Sequence, residues 1–225
     1  VELTSRLKEN GASLVGFGDM SIAGSELTDK FPVAIALAVK YDEKIVDNLH
    51  IDEPAFYHHL HELRDFMQGL VDIATGLLQK WGYDCVAILE RLITSNDELS
   101  RLQTFPHKTA ATCAGLGWIG KNCLLVTPEY GPRVRLATVL TNAPFKTEEP
   151  VTESRCGSCR LCVDACPYQA IKGVEWQLGI RRENMFDAYI CNQRRLDYIP
   201  IIGRKHACGR CIQVCPVGGW NYAPQ

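Results

Sequence analysis

Apolar residues recur along this chain with two periods, and each predicts an element. From Pro54 to Trp81, Leu60, Leu63, Met67, Leu70, Ala74, Leu77 and Trp81 stand three or four apart. That spacing gathers them into one stripe of a long α-helix, with Gly82 as its stop. In "FPVAIALAVKY" (31–41) a larger apolar residue alternates with a smaller one, as in a buried strand. "CVAIL" (85–89) reads as a second buried strand, and "LTSRLKEN" before Gly11 as a helix closed by glycine. Ser95 or Asn96 can cap a short helix reaching about Gln103, with Asp97 and Glu98 in its first turn. "HKTAATCAG" predicts another short helix, closed by Gly115 or Gly117. "CLLVT" and "VRLATVLT" flank the turn "PEYGP" and predict a β-hairpin. "GASLVGFGD" has neither a Walker lysine nor G-x-G-x-x-G, and is expected to be a turn and not a nucleotide loop.

The pattern changes at "TNAPFKTEEPVTES", where prolines, threonines and three acids mark a boundary. Two domains are expected: an α+β domain over 1–150 and a cysteine-rich module over 151–225. The module is too poor in aliphatics for a large core of its own, so bound metal is expected to hold it together. The longest apolar run, "VAIALAV" at 33–39, is strand length and cannot cross a bilayer. "VELTSRLKEN" lacks a basic head followed by an apolar stretch, so no secretory signal is expected. A net charge of −2 argues against an extensive grip on nucleic acid. Residues 154–225 carry ten Lys/Arg against five Asp/Glu, but that excess can balance negatively charged clusters instead of marking a nucleic-acid surface.

The cysteines carry the chemistry. Eight of the eleven lie between 156 and 215, and such spacing reads as metal ligation in a reducing cytoplasm, not as a disulfide framework. Cys156, Cys159, Cys162 and Cys166, followed by Pro167, form the C-x2-C-x2-C-x3-C-P run of bacterial ferredoxins. Two residues between ligands let three thiolates reach three corners of one cube. The fourth cysteine, expected to begin a helix pointing away, serves the other cube. Cys208, Cys211 and Cys215 then need one more ligand, and Cys191 is the unassigned cysteine of this region. Crosswise exchange gives one [4Fe–4S] cluster on Cys156, Cys159, Cys162 and Cys215, and another on Cys166, Cys191, Cys208 and Cys211. Zinc accepts paired C-x2-C motifs too, but two interleaved sets with C-P endings favour clusters.

"AGLGWIGKNCLLV" (114–126) resembles the A-G-L-G-W-x-G-K-N motif of the epoxyqueuosine reductases. "FYHHL" (56–60) is similar to that family's D-Y-H helix start, and "ACGRCIQVCP" and the position of Cys191 match its cluster region. The resemblance implies a nitroreductase-like α+β domain joined to a two-cluster ferredoxin-like module, as also in the related corrinoid-dependent reductive dehalogenases. It further implies electrons delivered by a ferredoxin or flavodoxin and passed through the clusters to a cobalamin. Gly115, Gly117, Trp118, Gly120, Lys121 and His58 are the cofactor-binding residues it suggests. There are three departures. The family's aspartate proton donor has no counterpart in "RLQTFPHKTAAT", where His107 can donate a proton instead. Phe56 replaces an aspartate. The sequence ends ten residues after Cys215, without a helical-repeat tail. These departures argue against tRNA as substrate and for a small molecule. A carrier protein with no corrinoid, or a flavin-containing reductase, stand as alternatives.

Lesser features have plainer readings. His58 and His61 share a helix face and could hold a metal, but such histidines more often bond within the fold. Cys85, Cys113 and Cys123 lie outside the cluster sets and are expected to fill core. Arg133 and Arg135 alternate along a strand, facing either solvent or an acidic substrate.

Overall fold

The computed structural model describes residues 2–21, 26–88, 106–196, 200 and 208–218. Among these, the elements run α1 (Glu2–Glu9), β1 (Leu14–Asp19), α2 (Glu26–Lys30), β2 (Val33–Lys40), α3 (Glu43–Asp47), α4 (Glu53–Lys80) and β3 (Cys85–Ile88). There follow α5 (His107–Cys113), β4 (Trp118–Ile119), β5 (Leu125–Val126) and β6 (Val134–Thr141). The cysteine-rich part adds α6 (Leu161–Asp164), α7 (Arg182–Met185), α8 (Ala188–Leu196) and α9 (Arg210–Gln213). The expected short helix near 95–103 and the end of "CVAIL" fall outside the described residues.

An antiparallel sheet in the order β1-β2-β6-β3 divides the N-terminal part into two layers. The alternation in β2 explains them. Val33, Ile35, Leu37 and Val39 face the long helix α4, packing with Met67, Leu70, Val71, Ala74 and Leu78 and with Leu3 and Leu7 of α1. Burying such a side chain stabilises by roughly 1.5–3 kcal/mol. Ala34, Ala36 and Ala38 face the other way and let α5 approach through Ala110, Ala111 and Cys113. Asp52 caps α4, its Oδ1 accepting the Ala55 N–H at 2.9 Å.

Two sequence expectations are corrected here. "GASLVGFGD" is strand β1 and not a turn: Gly16 and Gly18 pair with Ala36 and Ala34 on the small-residue face. A Cβ at either would stand 2.7 Å from the Ala114 backbone, so these glycines make room for the end of α5. The hairpin joining "CLLVT" to "VRLATVLT" does not form. Here β5 pairs with β4, β6 lies between β2 and β3, and "PEYGP" is closed locally by the Thr127–Gly131 bridge.

Beyond the sheet the chain does not separate cleanly near residue 150. Phe145 stacks on Phe17 with ring centroids 4.6 Å apart, and the Val151 N–H donates to Thr112 O at 2.9 Å. Ile212 of α9 packs with Tyr41, Val46, Leu49 and Phe56. Trp176 and Met185 pack with Trp118 and Val126. A segment short of aliphatics thus completes its cores with N-terminal residues.

Candidate metal centre

The motif "AGLGWIGKN" builds the contact between the sheet and the cysteine segments. Helix α5 ends in a Schellman turn: Gly115 N–H donates to Thr112 O at 3.2 Å and Leu116 N–H to Ala111 O at 3.0 Å. Gly115 takes the left-handed conformation this turn needs (φ +68°). At Gly117 the β4–β5 strands come so close that a Cβ would stand 2.2 Å from Val126 O. Gly120–Leu124 forms the hairpin tip, closed by Cys123 N–H on Gly120 O at 2.8 Å and Gly120 N–H on Leu124 O at 2.9 Å.

That tip reaches both cysteine segments. The Lys121 ammonium is buried and donates to Gly157 O and, at 3.0 Å, to Cys159 O, with Glu175 3.3 Å away. Asn122 Nδ2 donates to Cys211 O at 3.3 Å, while its Oδ1 accepts the Leu124 N–H. A Cβ on Gly120 would lie 3.6 Å from Cys156 Sγ. Trp118 packs over the same region, and its indole N–H is buried with no hydrogen-bond partner.

A second clamp comes from Arg133, which is 1% exposed. Its Nη1 pairs with Asp47 at 2.7 Å and its Nη2 donates to Gln213 O at 3.1 Å. Gln213 returns the link, donating through Nε2 to Asp47 O at 2.9 Å. The open strand face foreseen for Arg133 is therefore not found: it is a buried brace under α9. Neither Arg133 nor Gln213 could be recognised from spacing, because their partners lie about 80 residues or more away in sequence. Gly209, between Cys208 and Cys211, adopts φ +67° at the start of α9. Phe56 and Leu49 press on its Cα, where a carboxylate at 56 would be buried among apolar groups.

The cysteine thiols influence one another across the two cysteine segments. Burial, then Cys156, Cys215 and Cys159, push the Cys162 thiol up to about 12. Burial pushes Cys215 up to about 11; a hydrogen bond from the Val217 backbone opposes this, Cys156 and Cys159 add to it, and Arg133 opposes it. Cys211 is raised well above the usual thiol range by burial and then by Cys208, Cys191, Cys162 and Cys166. Thiols this crowded resist ionisation until iron or another cation compensates their charge. Among the described residues, no three thiol, imidazole or carboxylate groups converge as a single metal ion requires. In kind, a donor set of eight thiols suits iron–sulfur clusters. One detail differs from expectation: Cys166 follows helix α6 and does not begin it, just as Cys215 follows α9. Helices α6 and α9, carrying Cys162 and Cys211, pack against each other.

The other candidates are dispersed. His107 opens α5 and shares a 2.9 Å hydrogen bond with Thr138 Oγ1. It lines a small cleft of about 50 Å³ with Arg64, Gln68, Ile88 and Arg135. His58 is exposed on α4 beside Tyr57. His59 is the more buried neighbour, accepting the Asp42 N–H through Nε2 at 2.9 Å; burial lowers its pKa against the opposing pull of Asp42 and Glu62. Cys113 and Cys123 are buried, and Cys85 half-buried. No helix among the described residues is long and apolar enough to cross a membrane.

Comparison with known proteins agrees with this geometry. Residues 155–218 match a 4Fe-4S double cluster binding domain. Epoxyqueuosine reductases align at 40% identity over 105 residues in Bacillus anthracis and at 39% over 111 residues in Bacillus subtilis. Those stretches are 46% and 49% of this chain but only 27% and 28% of the relatives. Epoxyqueuosine reductase in complex with a tRNA-Tyr epoxyqueuosine-modified tRNA stem loop shares the fold, with a TM-score of 0.59 and 23% identity over 96% of this chain and 64% of that one. A catabolic reductive dehalogenase does so with a TM-score of 0.64 and 19% identity, over 94% and 31%. These findings overturn the expectation of a small-molecule substrate in place of tRNA: the relatives are named for a tRNA nucleoside, and one holds such a tRNA. The departures at 56, near 107 and after Cys215 were the wrong evidence, since Phe56 is a packing residue and where this sequence stops says nothing of substrate. Residues 155–218 thus match a double [4Fe–4S] cluster binding domain, and about half of the chain is similar to just over a quarter of the epoxyqueuosine reductases.

Proposed function

We propose that this chain is a reductase acting on epoxyqueuosine in tRNA. The observation that carries the reading is the 40%-identical stretch shared with epoxyqueuosine reductases, together with two thiol sets that interleave as ferredoxin-type ligands do. Cys156, Cys159, Cys162 and Cys215 hold one cluster; Cys166, Cys191, Cys208 and Cys211 hold the other. When bound, the clusters supply one-electron transfer. Reducing the epoxide takes two electrons and two protons; both C–O bonds break, an alkene forms and the oxygen leaves as water. His107 is the proton donor in this reading, held by Thr138 at the cleft. Arg64 and Arg135 on the same cleft suit a phosphodiester. The N-terminal part is read as a nitroreductase-like α+β domain, residues 1–150 and 151–225 as its two interlocked parts, and the setting as a reducing cytoplasm.

A corrinoid, the further element that the resemblance implies, is not part of this reading. Its support is a reductive dehalogenase of similar fold whose structure suggests a mechanism for B12-dependent dehalogenation. The residues assigned to it do not fit that role here. Lys121 is spent on Gly157 and Cys159, Gly117 and Gly120 on the hairpin, Gly115 on a helix cap, and Trp118 is buried. His58 stands apart on α4. No step is routed through a corrinoid. The test is anaerobic incubation of the reconstituted chain, with and without cob(II)alamin, with a reductant and an epoxyqueuosine-containing stem loop. The expected product, by mass spectrometry, is the nucleoside lighter by one oxygen. An unaltered nucleoside under both conditions, with clusters loaded and reduced, contradicts the proposal.

A further inference from the structure

Two cations are buried between the sheet domain and the cysteine segments, and neither contributes to the ligand sets. Lys121, with its side chain 7% exposed, sends its ammonium to the carbonyls of Gly157 and Cys159, within the C-x2-C-x2-C loop. Arg133, 1% exposed, donates to the carbonyl of Gln213, two residues before Cys215. The loop preceding Arg133 also abuts the segment after Cys215, since a Cβ on Gly131 would stand 2.2 Å from Val217 O. Each cation has a carboxylate partner, Glu175 or Asp47, but these are 43% and 58% exposed. Water screens the carboxylates far more than the buried cations. The positive charge therefore acts inward, on the loop carrying Cys156, Cys159 and Cys162 and on the approach to Cys215.

We propose that Lys121 and Arg133 form a cationic collar that raises the reduction potential of the cluster held by Cys156, Cys159, Cys162 and Cys215. This rests on the ligand reading given above. Reduction adds one negative charge to a cluster that, with its four thiolates, already carries two, so a fixed cation in a poorly screened setting stabilises the reduced form more than the oxidised form. The collar explains why the K of "GKN" is buried here without contacting a substrate cleft, and why an arginine is buried beside α9. Both are tuning residues and touch no reacting atom.

The test is redox titration of the reconstituted full chain, followed by electron paramagnetic resonance. The variants are Lys121→Met, Lys121→Arg, Arg133→Met and the surface change Glu175→Gln. Iron content and the wild-type spectrum come first: a chain without eight iron atoms in two cubane signals refutes the ligand reading itself. With that reading intact, Lys121→Met and Arg133→Met each lower the midpoint of one signal. About a tenfold fall in its reduced-to-oxidised ratio at fixed potential is expected, equivalent to ~59 mV for one electron. Lys121→Arg restores the midpoint. Glu175→Gln, which leaves both cations and the cysteine loop in place, moves it upward. An unchanged midpoint in fully loaded Lys121→Met or Arg133→Met, or a downward shift in Glu175→Gln, overturns the collar. Should the methionine variants lose iron, the Glu175→Gln shift alone decides by its sign.

Discussion

Replacing Gly209 by alanine strikes the cluster loop through packing alone. Gly209 has φ +67°, and an added Cβ would lie 2.3 Å from Leu49 Cδ1 and 2.7 Å from Phe56 Cε1. The left-handed backbone costs an alanine roughly 1–2 kcal/mol, and overpacking adds about 1–3 kcal/mol. A total near 3 kcal/mol corresponds to a melting point lower by about 6–12 °C in a chain of this size. Thermal unfolding of the anaerobically loaded protein reads the total, and a double-mutant cycle with Leu49→Ala divides it. Removing the Leu49 methyls relieves the clash but not the backbone strain, so the two changes should couple favourably, by about 0.5–3 kcal/mol. Strict additivity, or a Gly209→Ala protein as stable as wild type, would refute the packing of α4 and α9 around this turn.

Other perturbations bear on the same architecture. Phe56→Asp places a carboxylate where the side chain is fully buried; a loss exceeding ~3 kcal/mol is expected in denaturant unfolding, and near-neutrality would show that this turn of α4 is not packed as described. Gly117→Ala drives a Cβ into the Val126 carbonyl and should open the β4–β5 hairpin, lowering iron retention on gel filtration; full retention counts against the hairpin as the clamp. For His59 the pKa lies below its ordinary value of 6.5 because of burial. The folded chain then binds fewer protons than the unfolded one, so stability is complete above pH 6.5 and is lost as pH falls through the folded pKa. Melting points measured across that window should decline with acidity, and the decline should flatten in His59→Gln; an identical slope in the variant removes His59 as its source.

Much of the scaffold was legible because local and tertiary demands agree. Helix α4 follows its three- and four-residue spacing from Glu53 to Lys80, and the large-small alternation of β2 corresponds to two layers of unequal depth. The double-cluster character of the cysteine segment was legible from the spacing of its motifs, because a cube limits how a short chain can wrap it. Misreadings arose where a distant element decides. Gly16 and Gly18 signal a turn in isolation, yet they lie in a strand that α5 approaches too closely for a side chain. Strand β6 pairs with β2 and β3 and not with its neighbour in sequence, because the hairpin tip must reach the cysteine loops. Motif resemblance found Lys121 and Asn122, but not what they hold. Arg133, Gln213 and Gly209 carried no local signal.

Mössbauer spectroscopy with iron counting on the reconstituted Cys191→Ala chain tests the central claim most directly, with Cys113→Ala as control. Cys191 lies outside every short cysteine motif, yet it acts on Cys211 alongside Cys208, Cys162 and Cys166. The crosswise arrangement predicts eight iron atoms in the control. In Cys191→Ala it predicts one intact cubane and loss or conversion of the other, with the remaining iron near half. Two intact cubanes in Cys191→Ala, or equal loss in both variants, would contradict the assignment.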